Sequence, residues 1–347
     1  MGGGTIMKKY LLLLGACIVL GSCSTGGGDT AAAALMMLGG SSQAPVYLEC
    51  RTVSENEIEF EFSRPVKITS LNFDPVLSIA SVEDGSIVKV TLEENAAPGI
   101  LLTADLLAED EFRNTINVLI PLRSRNNRMP SLQINELCTE YANAAAGKKE
   151  EFIELKMKSA GNLGAMRVFI LGNTNATKQT IYEFLPVEVD EGEYVVLHLR
   201  TWDDSCKDEY GGIMEESVSL NSSAEAWDFW IPGNTKLIHK AATAVYVLDQ
   251  DDRVLDAVMF SEKPDTWWTK DYFAEAAEFL YNSGAWKSAS GKVCGPVDAL
   301  SSAGTTNTRT ICRDETVENT NTAEDWYITA TSSATPGNPN NPKRYKP

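Results

Sequence analysis

Leu132-Gln-Ile-Asn-Glu-Leu137 and, past a polar loop, Glu151-Phe-Ile-Glu-Leu155 are two short strand-like runs, each carrying one central acid, Glu136 and Glu154. Paired carboxylates can perform acid–base chemistry when their surroundings push their pKa values apart. Here no nucleophile elbow, phosphate-cradling glycine loop or nearby histidine accompanies them. Period-two alternation puts Glu136 on the face of Leu132 and Ile134, so it reads as a buried acid in need of a cation. Glu154 falls opposite Ile153 and Leu155 and reads as a surface acid. The pair is expected to be structural, and the chain to have no catalytic residues.

Upstream, Glu57-Ile-Glu-Phe-Glu-Phe62 alternates acid and apolar without a break, the pattern of a half-buried strand, and Ser63-Arg64-Pro65 is expected to end it. Further strand runs at 48–52, 66–68, 77–81, 87–92, 100–103 and 117–122 are separated by turn signals such as Asp84-Gly85 and Pro98-Gly99. Short strands without a convincing helix predict an antiparallel β-sandwich over 45–123. Phe62-Ser-Arg-Pro-Val66 resembles the turn after the second strand of bacterial immunoglobulin-like modules, which usually act as spacers. The polar run Arg123-Ser-Arg-Asn-Asn-Arg128 reads as solvated linker, placed at 124–130, rather than as a nucleic-acid patch.

The chain has 347 residues, 43% hydrophobic and 22% charged, ordinary for globular material and enough for about two domains. Its N-terminus reads as a processing segment. Lys8-Lys9 precede an apolar run from Tyr10 to Leu20, and Leu20-Gly21-Ser22-Cys23 resembles the lipobox of bacterial lipoproteins. The resemblance implies removal of residues 1–22. Translation is expected to start at Met7, because the glycine codons of Met1-Gly-Gly-Gly could encode a ribosome-binding site just upstream of it. The resemblance also implies lipidation of Cys23, by palmitate or a similar acyl chain, and anchorage in a membrane. Residues 23–44, rich in Gly, Ser, Thr and Ala, read as a lipidated flexible tether. The expected address is a bacterial envelope, at the outer membrane or cell surface rather than the inner membrane. Losing residues 1–22 removes Lys8 and Lys9 and no acid, so the formal charge goes from −18 to −20. A body this acidic argues against nucleic acid as a partner.

The second domain is read as 131–340, with 341–347 as a tail. The opening runs quoted above resemble the start of a lamin tail domain. Gly192-Glu-Tyr-Val-Val-Leu197 is similar to that family's central strand, and Val245-Tyr-Val-Leu-Asp249 with Arg253-Val-Leu-Asp-Ala-Val258 to its long hairpin. Thr308-Arg309, Asp325-Trp326 and Ala334-Thr-Pro-Gly-Asn-Pro-Asn340 follow in its closing order. The resemblance implies an immunoglobulin-like β-sandwich and, for Glu136, an ion pair with the closing Arg309. Met166-Arg-Val-Phe-Ile-Leu171 replaces the usual Gly-Trp strand, and insertions appear near 201–240 and 261–305. The second insertion holds the best helical pattern, Lys270–Asn282, with Phe273, Ala276, Ala277 and Leu280 on one face. The expected fold class is therefore all-β: two β-sandwich domains in tandem, the second with a helical insertion.

No cofactor or metal is expected. The chain holds two histidines and no Cys-x-x-Cys pair, and Asp249-Gln-Asp-Asp-Arg253 lacks the glycine and spacing of a calcium loop, so it reads as a hairpin turn. Of the seven cysteines, Cys17 and Cys23 lie at the N-terminus and Cys50 reads as a free buried thiol. Cys138, Cys206, Cys294 and Cys312 allow up to two disulfides, with Cys294–Cys312 favoured because they flank one loop. All seven tryptophans follow residue 200. Trp227, Trp230, Trp267 and Trp268 could form a sugar-stacking platform, or could pack the insertions onto the sandwich. The functional expectation is a non-catalytic envelope lipoprotein presenting a structural or adhesive protein-binding module. The alternative is a carbohydrate-binding lipoprotein.

Overall fold

The computed structural model describes residues 43–144, 147–172 and 179–347. Cys23, the signal segment and nearly all of the tether lie outside them. Among the described residues the chain is all-β apart from one helix and short turns, and it divides into two units at Asn127/Arg128.

The first unit contains β1 (Tyr47–Thr52), β2 (Glu57–Asp74), β3 (Ile79–Glu83), β4 (Gly85–Leu92), β5 (Leu101–Asp110) and β6 (Thr115–Arg123). They form one hydrogen-bonded sheet in the order β3-β4-β2-β5-β6, with β1 also on β2. The expected strand end at Ser63-Arg64-Pro65 is not there. β2 runs 18 residues, pairing through 57–61 with β4 and through 66–74 with β5. Pro65, which has no N–H for a ladder, sits where one partner gives way to the other, so it marks an exchange of neighbours instead of a stop. β1 and β6 approach each other without pairing, and the unit's core gathers Phe60, Phe62, Val88, Val90, Leu102 and Leu106. Cys50 is a free thiol, half-buried against this core.

The presumed linker is tied down at both ends. Ser124 is buried and donates to the Ala97 carbonyl, whereas Arg128 pairs with Glu188 of the second unit.

The second unit opens with β7 (Leu132–Cys138), the hairpin β8 (Ala142–Ala144) and β9 (Gly147–Lys149), and β10 (Phe152–Met157). There follow β11 (Gly161–Asn162), β12 (Arg167–Gly172), β13 (Thr180–Glu183), β14 (Glu188–Val189), β15 (Tyr194–His198) and β16 (Ala226–Trp230). Next come β17 (Ala242–Leu248), β18 (Val254–Ser261), helix α1 (Asp271–Ser283), β19 (Leu300–Ser301), β20 (Ile311–Arg313) and β21 (Trp326–Ile328). A six-stranded sheet, β16-β15-β10-β7-β20-β21, and a five-stranded sheet, β13-β12-β17-β18-β19, share one hydrophobic core. Helix α1 buries the four predicted residues Phe273, Ala276, Ala277 and Leu280 against β17 and β18. It stops at Gly284, whose φ of 79° suits a residue without Cβ. Asp249–Arg253 is the hairpin turn between β17 and β18, with the Asp249 carboxylate accepting from the amides of Asp251 and Arg253. The first insertion contributes β16, which extends the six-stranded sheet by pairing parallel to β15.

Candidate functional site

A single irregularity in β7 decides where the two central acids go. Leu155 pairs with Ile134 but Glu154 pairs with Glu136, leaving Asn135 as an extra residue in the ladder. Such a bulge shifts the side-chain phase by one. Ile134 and Leu137 therefore both face the core, while Glu136 and Cys138 move to the outer face of the sheet. There Glu136 lies directly across from Glu154, and both are fully buried.

The expected Glu136–Arg309 pair is not formed. Thr310, which precedes the β20 residues paired with β7, turns its hydroxyl to Glu136 Oε1, and the Thr335 amide and hydroxyl donate to Oε2 at 2.9 and 3.2 Å. Arg309, next in sequence to Thr310, instead donates to the Gly304 carbonyl and Thr331 and lies 4.3 Å from the Tyr345 ring centre. Glu154 is not a surface acid either. It does face away from Ile153 and Leu155, but that face is covered: Asn135 Nδ2 and the Gly337 amide reach it at 2.8 and 2.6 Å. Asn340 Nδ2 fills the bulge, donating to the Asn135 carbonyl and side chain and to the Arg313 carbonyl. The closing motif Ala334–Asn340 is thus the partner of both acids. Burial raises both carboxyls above their ordinary range against these hydrogen bonds, and the charge of Glu136 raises Glu154 further.

A second cluster on the same face escaped the sequence reading. His198, at the end of β15, is fully buried between two carboxylates. Asp228 Oδ1 lies 2.7 Å from Nε2, and Glu150 Oε1 lies 3.2 Å from Nδ1 without hydrogen-bond alignment. The Trp230 ring stacks on the imidazole at 3.9 Å. Burial alone would favour the neutral ring, but the two carboxylates override it and hold the pKa at about 9. Burial likewise opposes ionisation of Glu150, yet His198 keeps that carboxyl below its usual range. Glu150 also accepts from Trp202 Nε1 and the Ser219 hydroxyl, and Asp228 from the Ser223 amide. This histidine therefore pins the first insertion to the sheet. Nearby, Arg200 grips Glu151 with two bonds of 2.6 and 2.7 Å. On the core side of β7, Arg313 bonds the Ile134 carbonyl and pairs with Asp256.

The tryptophan platform does not assemble. Trp227 and Trp230 lie on β16, pointing to opposite faces, the first into the core and the second onto His198. Trp268 packs on Phe273 and donates to the Cys294 carbonyl. Trp267 alone of the four is open, at 82% exposure. The favoured disulfide is absent as well: Cys294 and Cys312 are free, the first beside the Trp286 carbonyl and the second beside Thr310 and Glu136. Flanking one loop does not bring the two together, because Cys312 belongs to the six-stranded sheet and Cys294 to the cover near α1. Burial pushes the Cys294 thiol up to about 12.

Among the described residues, no His, Cys, Asp and Glu side chains gather as a metal-ligand set, and no helix is long and apolar enough to cross a membrane. A polar cavity of about 240 Å³ opens beside Gln133, Lys156, Lys158, Arg313 and Glu315, where Lys156 and Glu315 form an ion pair.

These elements describe a two-sheet domain whose outer face is covered by residues from 202–228 and 335–340 of the same chain. The chain belongs to the family described as TP_1001_2nd, protein second domain, whose model matches residues 130–328. An uncharacterized protein of Treponema pallidum (strain Nichols) is 28% identical over 196 residues, 52% of this chain. The match spans 46% of that relative, about half its length. A DUF4876 family protein from Bacteroides thetaiotaomicron, known from a crystal structure, is 14% identical. That comparison covers 82% of this chain and 94% of the other, with a TM-score of 0.31.

Proposed function

We propose that this chain is a lipid-anchored lipoprotein of a bacterial envelope, at the outer membrane or cell surface. In this reading Cys23 carries the lipid, and the lamin-tail-like second unit binds a protein partner without catalysis. The observation that carries the reading is that the side chains best suited to chemistry are already engaged within the fold. Glu136 and Glu154 hold the closing segment, and His198 lies sealed between Asp228 and Glu150. Groups so buried and so closely paired are those of a scaffold. The lipobox-like Leu20-Gly21-Ser22-Cys23 supports the anchor.

Alkyne-palmitate labelling of cells expressing the full chain tests the anchor. Label is expected on the wild type and lost in Cys23→Ser; label persisting in that variant would overturn lipidation at this residue. Photo-crosslinking in the intact envelope is expected to trap a discrete protein partner through the second unit. A turnover activity abolished by Glu154→Gln in folded protein would overturn the non-catalytic reading.

A further inference from the structure

The acids Glu136 and Glu154 face each other across β7 and β10, where opposed side chains start about 5 Å apart. Besides the Cys312 thiol, five neutral donors among the described residues reach them: the Thr310 hydroxyl, Asn135 Nδ2, the Thr335 amide and hydroxyl, and the Gly337 amide. Three of these five come from the closing segment Ala334–Asn340, which contains no ionisable side chain. Among the described residues, the titratable groups around the pair supply no cation in direct contact. β20 contributes Cys312, β7 Cys138, β15 Tyr194 and β21 Tyr327, while Glu315 adds a further negative charge that Lys156 offsets by pairing with it.

We propose that Glu136 and Glu154 hold one proton between them and that this proton locks Ala334–Asn340 over the sheet, so that its loss drives the segment open. Two carboxylates this close, both out of water and without a counter-ion, cannot both ionise cheaply. A hydrogen bond to a charged acceptor contributes about 1.5–3 kcal/mol, whereas an uncompensated buried charge costs several. Lifting the segment withdraws three donors and admits water to both acids, which relieves the repulsion. The closed form therefore binds more protons than the open one. Opening grows as pH rises above about 4.5, the ordinary value for these groups, by up to about tenfold per pH unit for each proton released. The segment becomes a pH-gated strap, and opening it uncovers the bulge at Asn135. The proposal is independent of the anchor and of any partner.

Amide hydrogen exchange on the full chain, corrected for the intrinsic pH dependence of exchange, tests it. The opening constants at Thr335 and Gly337 are expected to rise with pH at up to that slope, while Tyr246 in β17, remote from the acids, stays flat. Glu154→Gln, which removes the like charge and keeps an acceptor for Gly337, is expected to shrink the rise to the part that burial alone gives Glu136. A flat wild-type profile at Thr335 and Gly337 would overturn the lock, as would an equal rise at Tyr246 or an unchanged slope in Glu154→Gln. If that variant fails to fold, Glu136→Gln supplies the same comparison, and the wild-type profile alone remains decisive.

Discussion

His198 shows how a single residue can go unread from its neighbours in sequence. It follows Val195-Val-Leu197 on a core strand, and nothing local announces its partners, which lie 48 residues before and 30 after it. Its raised pKa gives a definite pH signature. A folded value of about 9 against an ordinary 6.5 means that its stabilisation is fully present below pH 6.5 and is lost as pH rises through about 9. The contribution is on the order of 3 kcal/mol. His198→Ala, which leaves Glu150 and Asp228 buried without a cation, is expected to lower the unfolding free energy at neutral pH by about 3–5 kcal/mol in urea titrations. The gap between variant and wild type should narrow near pH 10. By contrast Trp267→Ser, at an exposed position, should leave stability within about 0.5 kcal/mol.

At the scale of elements, helix α1 was legible because four apolar residues at helical spacing state their own burial. Leu280→Ala is expected to cost about 2–5 kcal/mol by chemical denaturation, since Leu280 is fully enclosed. The closing segment depends instead on backbone. Gly337 has φ 74°, and a Cβ there would stand 2.4 Å from Ser223 Oγ and 2.8 Å from Ser223 Cβ. Gly337→Ala should therefore weaken the donor to Glu154 and destabilise the second unit by about 1–3 kcal/mol, read as a lower midpoint in urea. Strands were less evenly legible. Leu102, Ala104, Leu106 and Ala108 alternate inward along β5, yet the small alanines and neighbouring acids muted the signal beyond residue 103. β16 went unread because Ala226-Trp-Asp-Phe-Trp230 buries both faces, so it shows no simple alternation.

For the whole molecule, the two units are expected to differ in their response to pH. In the first, burial works against ionised Asp110, but bonds from Asn114 and the Phe112 amide hold its carboxyl below the ordinary range, so its contribution is lost as pH falls. In the second, Glu136, Glu154 and Asp256 are raised, chiefly by burial, and together with His198 they withdraw stability as pH rises. Glu150, Glu188, Asp203 and Asp314 work in the opposite sense, but of these only Glu150 is buried, while Asp208 and Glu209 add to the raised group. All seven tryptophans belong to the second unit, so tryptophan fluorescence isolates it within the intact chain. Its thermal midpoint is expected to fall from mildly acidic to alkaline pH, and a rise over that range would contradict this assignment of the buried charges.

The sequence by itself determined the β class, the first strands of each unit and the helix, because period and turn chemistry are local properties of the chain. It also marked Glu136 as a buried acid that latches a late segment, though not the partner. Tertiary structure alone decided that partner. One extra residue at Asn135 moved Glu136 across the sheet to meet Glu154, and the closing segment, nearly 200 residues downstream, then covered both. A one-residue shift in a ladder reverses every side chain beyond it, and no pattern within a single strand records where its neighbour pauses.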